Sequence, residues 1–136
     1  MLDKIKVPTK IEIRKSEGKG MGVFCTEFIS KGEIIEECLL LSIGGKCDAT
    51  NIPLVDYRFV YPKSIDWVEF VIPLGNGSIY NHSETPNADW INHENPYIKV
   101  FKFIAIKDIS PEEEIFTYYG DKNYWEDGRT HTKLQP

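Results

Sequence analysis

Three short stretches of this 136-residue chain carry the side chains best suited to chemistry. The first is Asn81-His82-Ser83, followed closely by Pro86-Asn87. It gathers an amide, an imidazole and a hydroxyl within three residues, a set that can hold a polar ligand by hydrogen bonds. The second is Gly18-Lys19-Gly20-Met21-Gly22, whose glycines let the backbone approach a ligand closely. The third, Glu114 to Gly120, ends on the phenol of Tyr119, a group able to orient a reacting amine. A hydrolase built on Ser83 and His82 is excluded on two grounds. Adjacent residues rarely bring nucleophile and base into hydrogen-bond geometry, and no Gly-x-Ser-x-Gly turn is present.

These stretches lie far apart in sequence, so a fold must assemble them. The length suits a single domain over residues 1–136, with its core at about 10–125 and a polar tail at 121–136. A chain of this size buries enough surface to need neither disulfides nor metal. Cys25, Cys38 and Cys47 are odd in number and include no Cys-x-x-Cys pair. They point away from a zinc site and toward packing as small apolar residues in a reducing compartment. The net charge of −5 argues against direct nucleic-acid binding and is compatible with a cationic protein partner. No apolar run is long enough to cross a bilayer, and the first ten residues lack a signal-peptide core. A soluble intracellular protein without membrane attachment is expected.

The pattern along the chain is one of short strands between turns. Residues 10–15 alternate polar and apolar, residues 16–22 turn, and 23–26 resume as a strand. Residues 33–43 read as a buried strand, 65–73 as another, and 97–106 as the clearest of all. Tyr57, Phe59 and Tyr61 alternate in a way that allows a short strand. Gly75-Asn76-Gly77 is a tight turn, and a last short strand follows the turn at 109–114. The fold class is mainly β.

With these elements in place, the three stretches resemble the motifs of the SET-domain protein-lysine methyltransferases. Gly18 to Phe24 is similar to that family's first glycine motif. Asn81-His82-Ser83 with Pro86-Asn87 is similar to its Asn-His-Ser-x-x-Pro-Asn motif, and Glu114 to Gly120 to its last motif, which ends in Tyr-Gly. Their order and spacing carry the likeness over about residues 10–125. Residues 35–39 and 74–77 resemble the compact, stand-alone members of large DNA viruses and some bacteria. Two departures agree with each other: Glu84 stands where the family often has cysteine, and no cysteine follows Cys47. A post-domain zinc cluster is therefore not implied, and Tyr124 and Trp125 are the candidates to close the site instead.

The resemblance implies a fold of several small β-sheets with a knot-like C-terminal threading that brings Tyr119 beside Asn81. It implies transfer of a methyl group from S-adenosylmethionine to a protein lysine, on a histone tail or another protein. Tyr119 would be the catalytic residue. Lys19, Gly20, Met21, Gly22, Asn81, His82, Tyr119 and Trp125 would hold the donor, His82 more through its backbone than its ring. Tyr57, Tyr80 and Thr117 would line the substrate lysine. The residue at the place of Thr117 often sets how many methyls are added in the family, and threonine there leaves that number open. Pairing into a homodimer would give so small a domain more substrate-contact surface. The compartment would be cytoplasmic for a bacterial member, or the host nucleus for a viral one. The alternative is a module of the same fold that binds lysine or methyl-lysine without turnover; the presence of both Tyr119 and Asn81 favours the enzyme.

Overall fold

The computed structural model describes residues 4–45 and 57–118. They form nine strands: β1 (Ile11–Ser16), β2 (Gly20–Cys25), β3 (Ile34–Gly45), β4 (Phe59–Tyr61), β5 (Glu69–Pro73), β6 (Asn81–His82), β7 (Ala88–Asn92), β8 (Val100–Ala105) and β9 (Glu114–Thr117). One sheet has the order β1-β2-β9-β6 and the other β4-β5-β3-β8-β7. The expected mainly β architecture of small sheets is what the chain adopts.

The first sheet begins as a hairpin. Gly18 and Gly20 take φ of 74° and 76°, left-handed values that favour glycine, and the chain reverses between them. The return strand pairs in register from Ser16↔Gly20 to Ile11↔Cys25. β9 then comes in from the far end of the sequence and pairs antiparallel with β2 at Val23↔Ile115 and Phe24↔Glu114. Its other edge pairs parallel with β6, at Asn81↔Phe116 and His82↔Thr117. β9 is thus the strand that joins the glycine hairpin to the Asn-His segment. The expected threading through a loop concerns residues from 119 onward, outside the described residues.

The second sheet carries most of the core. Along β8, Phe101, Phe103 and Ala105 are buried in the core while Lys102 between them points away and pairs with Glu94 at 2.8 Å. The sheet curls until its two edges meet: Phe59 of β4 lies 4.9 Å, ring to ring, from Trp90 of β7. Lys63 and Asn92 close that seam, Lys63 N donating to Asn92 Oδ1 at 2.9 Å and Asn92 Nδ2 returning to Lys63 O at 3.2 Å. Between the sheets, Val23, Cys25 and Ile115 meet Ile29 and Ile109, which pair with each other through their backbones at 2.8 and 2.9 Å. Each such fully buried side chain contributes about 1.5–3 kcal/mol relative to exposure. Cys25 and Cys38 are free and buried, and burial pushes both thiols up. Cys47 lies outside the described residues.

Candidate active site

The site is best built outward from Asn81. β6 is only two residues long, and Tyr80 leads directly into it. Asn81 is fully buried. Its Nδ2 donates to the Met21 carbonyl at 3.0 Å and to Glu114 Oε2 at 2.8 Å. The other carboxylate oxygen of Glu114 accepts from Ser16 Oγ at 2.7 Å. One amide and one carboxylate therefore lock together β1, the β2 backbone, β6 and β9. Gly22 makes the approach possible: a Cβ there would strike Glu114 Oε2 and stand 2.8 Å from Asn81 Nδ2.

Lys19 reaches over the same junction. Its ammonium donates to the His82 carbonyl at 2.8 Å and lies 5.5 Å from the centre of the Phe116 ring. The His82 ring is buried, with Nε2 at 3.2 Å from Glu84 Oε1 and its face 5.1 Å from the Tyr118 ring. Glu84, where the family often has cysteine, thus serves the histidine. The structure brings Lys19, Gly20, Met21, Gly22, Asn81 and His82 into one place, with Glu114 and Phe116 between them. Met21 offers its carbonyl inward, and the residue is 40% exposed.

The substrate-side residues fare differently. Thr117 is buried and follows β6 in register, its carbonyl accepting from Ser83 N at 3.0 Å. Tyr57 is half-buried, and its carbonyl accepts from Ser78 Oγ at 2.8 Å. Tyr80 departs from the expectation of a channel wall. It is 1% exposed, its ring stacks on Phe103 with centroids 4.8 Å apart, and its hydroxyl donates to Glu36 Oε1 at 2.6 Å. Tyr80 lies just before β6: while Asn81 reaches Met21 and Glu114 at the junction, the Tyr80 ring is packed into the core. Tyr119, Tyr124 and Trp125 lie outside the described residues.

Two further residues belong to the assembly. Asn87 mimics a strand: its Nδ2 donates to Glu114 O at 3.0 Å and its Oδ1 accepts from Phe116 N at 2.8 Å. Its side chain thereby continues the pairing that β6 begins on β9. The motif placed Asn87 near the site without a role; its signal is an asparagine directly after a proline, where the chain leaves β6 and cannot pair by backbone alone. Glu36 is the second, a buried carboxyl on β3 that lies in the stretch 35–39 of the family likeness, which gave it no role. Desolvation raises its pKa from the ordinary carboxylate value, against the hydrogen bond from Tyr80.

The donor set can be tested against a ligand bearing an amino-acid group. Among the described residues, Asn81 Oδ1 is buried and has no hydrogen-bond partner. A buried acceptor left unpaired costs about 1–3 kcal/mol, so this atom is suited to receive an N–H from a bound molecule. An ammonium is a fitting donor, because Glu114 stands immediately beside the amide.

Comparison with known proteins places the chain in a family. The SET domain pattern matches residues 20–120. The chain belongs to the SET-domain family. It is 30% identical over 129 residues to a Schizosaccharomyces pombe protein named histone-lysine N-methyltransferase, H3 lysine-37 specific, covering 89% of this chain and 80% of that one. It is also similar to the crystal structure of a Plasmodium falciparum protein provisionally named a histone methyltransferase. There the TM-score is 0.67 and the identity 36%, with 85% of this chain and 97% of that chain covered. Among the described residues, no helix of this SET domain is long and apolar enough to cross a membrane.

Proposed function

We infer that this SET domain is a protein-lysine N-methyltransferase that takes its methyl group from S-adenosylmethionine. Family membership and the named relatives support the activity class. The observation that carries the donor assignment is the Oδ1 of buried Asn81, unpaired among the described residues and set where the glycine hairpin, β6 and β9 converge. Asn81 and the backbone around Met21 and His82 would hold the donor's amino-acid and adenine ends, with Gly20 and Gly22 giving room for approach. Bound there, the donor supplies a methyl group made electrophilic by its sulfonium.

The rest of the work falls to the chain. The substrate lysine must lose its proton before its nitrogen can act as a nucleophile, and a free lysine holds that proton up to about pH 10.4. A dry channel lowers that value by disfavouring the ammonium. Tyr119, two residues after Thr117, would orient the neutral amine through its hydroxyl. Positioning of this kind supplies up to roughly 7–11 kcal/mol of a two-reactant barrier, while the lowered amine pKa, helped by the donor's sulfonium charge, is why no strong base is required.

The substrate is a protein with an exposed lysine in a cationic segment, a histone tail being the first to test. The net charge of −5 suits such a partner. Purified protein, labelled S-adenosylmethionine and histone H3 are to be mixed and the products read by mass spectrometry. Methyl-lysine is expected. Tyr119→Phe should lose most turnover, a hundredfold or more being the order of a lost acid–base or orienting group, while S-adenosylhomocysteine still binds. Donor binding with no transfer to any lysine in a lysate would instead point to a binding module.

A further inference from the structure

The buried Glu36–Tyr80 pair has no part in the chemistry above, yet it stands directly behind Asn81. Glu36 and Tyr80 are each 1% exposed. Their 2.6 Å hydrogen bond spans from β3, in the five-stranded sheet, to the residue that leads into β6, in the other. The second carboxylate oxygen of Glu36 faces the turn at 74–77. Asn76 N and Nδ2 approach it at 3.4 and 3.5 Å, and a Cβ on Gly75, whose φ is 78°, would lie 3.1 Å away. Glu36 therefore touches the segment 74–80 at its start and at its end. That segment is what delivers Asn81. Its middle is pinned separately, by Ser78 Oγ on the Tyr57 carbonyl and by Gly77, where a Cβ would meet Pro73 at 2.6 Å.

Stacking alone would leave Tyr80 free to slide along the plane of its ring. The ring stacks on Phe103 at an interplanar angle of 16°, and a stacked pair resists separation more than sliding. A hydrogen bond at the phenol tip stops the slide, because it fixes distance and direction at the end of the lever. The residue after Tyr80 carries the buried amide, so a slide of the ring would move Asn81 relative to Met21 O and Glu114.

We propose that Glu36 is a positioning residue for the methyl donor: through Tyr80 it fixes Asn81 at the height where its free Oδ1 can accept. This rests on the donor assignment made above. It assigns to a core carboxyl the setting of a ligand-binding atom on the far side of β6.

The test separates positioning from stability by removing the hydrogen bond in two ways. S-adenosylhomocysteine is the probe, its binding is read by calorimetry, and urea unfolding is followed on the same samples. Tyr80→Phe keeps the stack and removes the hydroxyl; donor binding should weaken about tenfold or more, the scale of one hydrogen bond to a charged group. Glu36→Gln keeps an acceptor for the phenol and should bind within about twofold of the unmodified chain, because a neutral acceptor still fixes the tip. The double variant Glu36→Met with Tyr80→Phe replaces both partners by apolar groups, which is often neutral for stability. It should unfold near the unmodified midpoint yet bind the probe as weakly as Tyr80→Phe. Recovery of binding together with stability in that double variant overturns the proposal, since the pair would then serve the fold alone. Should Tyr80→Phe not fold, the double variant and Glu36→Gln decide the matter between them. If the unmodified chain fails to bind the probe, the donor assignment itself falls, and the proposal with it.

Discussion

At the scale of single residues, the candidate site is an arrangement in which one atom is left over. Asn81 spends both hydrogens of its amide inside the protein and, among the described residues, leaves its oxygen unmatched. Gly22 is the residue most sensitive to change, since any side chain there meets Glu114 and Asn81 at once. Gly22→Ala is expected to break the Asn81–Glu114 bond and cost about 1–3 kcal/mol by overpacking. Calorimetry should show S-adenosylhomocysteine binding lost, and a urea titration should show the smaller stability loss. Unaltered binding in that variant would mean the amide can move without consequence.

At the scale of elements, the strand that matters is β9, four residues paired on both sides by partners of unequal kind. β2 offers it a backbone ladder, whereas beyond β6 the pairing is taken up by the Asn87 side chain. Asn87→Ala removes two hydrogen bonds and leaves Glu114 O and Phe116 N to find water or go unpaired. A loss of about 1–3 kcal/mol is expected, read as a lower denaturation midpoint, with faster amide exchange at Phe116 ahead of the rest of β9. Equal exchange at Phe116 in both proteins would show that Asn87 carries no pairing. β9 and the glycine hairpin were legible beforehand because alternating apolar residues and closely spaced glycines are local signals. So was β8, whose apolar alternation is long, although it begins at Val100 rather than at residue 97. β5 starts at Glu69, not at residue 65, because residues 62–66 form the turn that leads from β4 into it. β7 leaves no mark in the sequence pattern: Ala88-Asp89-Trp90-Ile91-Asn92 includes Asp and Asn, poor strand formers, and its state is set by pairing with β8. The same limit hid Glu36, since nothing in a sequence tells a buried glutamate from a solvated one until its partner is in place.

At the scale of the whole molecule, charge and topology each carry a consequence. Glu36 takes up its proton more readily folded than unfolded, where the ordinary value is 4.5. Its contribution to stability is thus fully present below 4.5 and is lost as pH rises through the higher folded value. Glu36→Gln should therefore match the unmodified chain in acid and become the more stable of the two as pH rises, a trend to be read from urea midpoints across a pH series. Parallel curves would show that Glu36 titrates alike in both states. With a net charge of −5, capture of a lysine-rich peptide should also weaken as salt passes about 0.1 M, where the Debye length is about 10 Å. A KM indifferent to salt would place recognition in apolar contacts. The order of the strands reaches further still, to how the protein is made. β1 and β2 leave the ribosome early, but the strand that fills the gap beside β2 comes after every other described strand. Until then the hairpin carries a bare backbone edge, open to any extended chain nearby. A short peptide copying residues 110–118, supplied during translation, would compete for that vacancy, and a nascent chain stalled before Glu114 would be the form most exposed to capture by a neighbour.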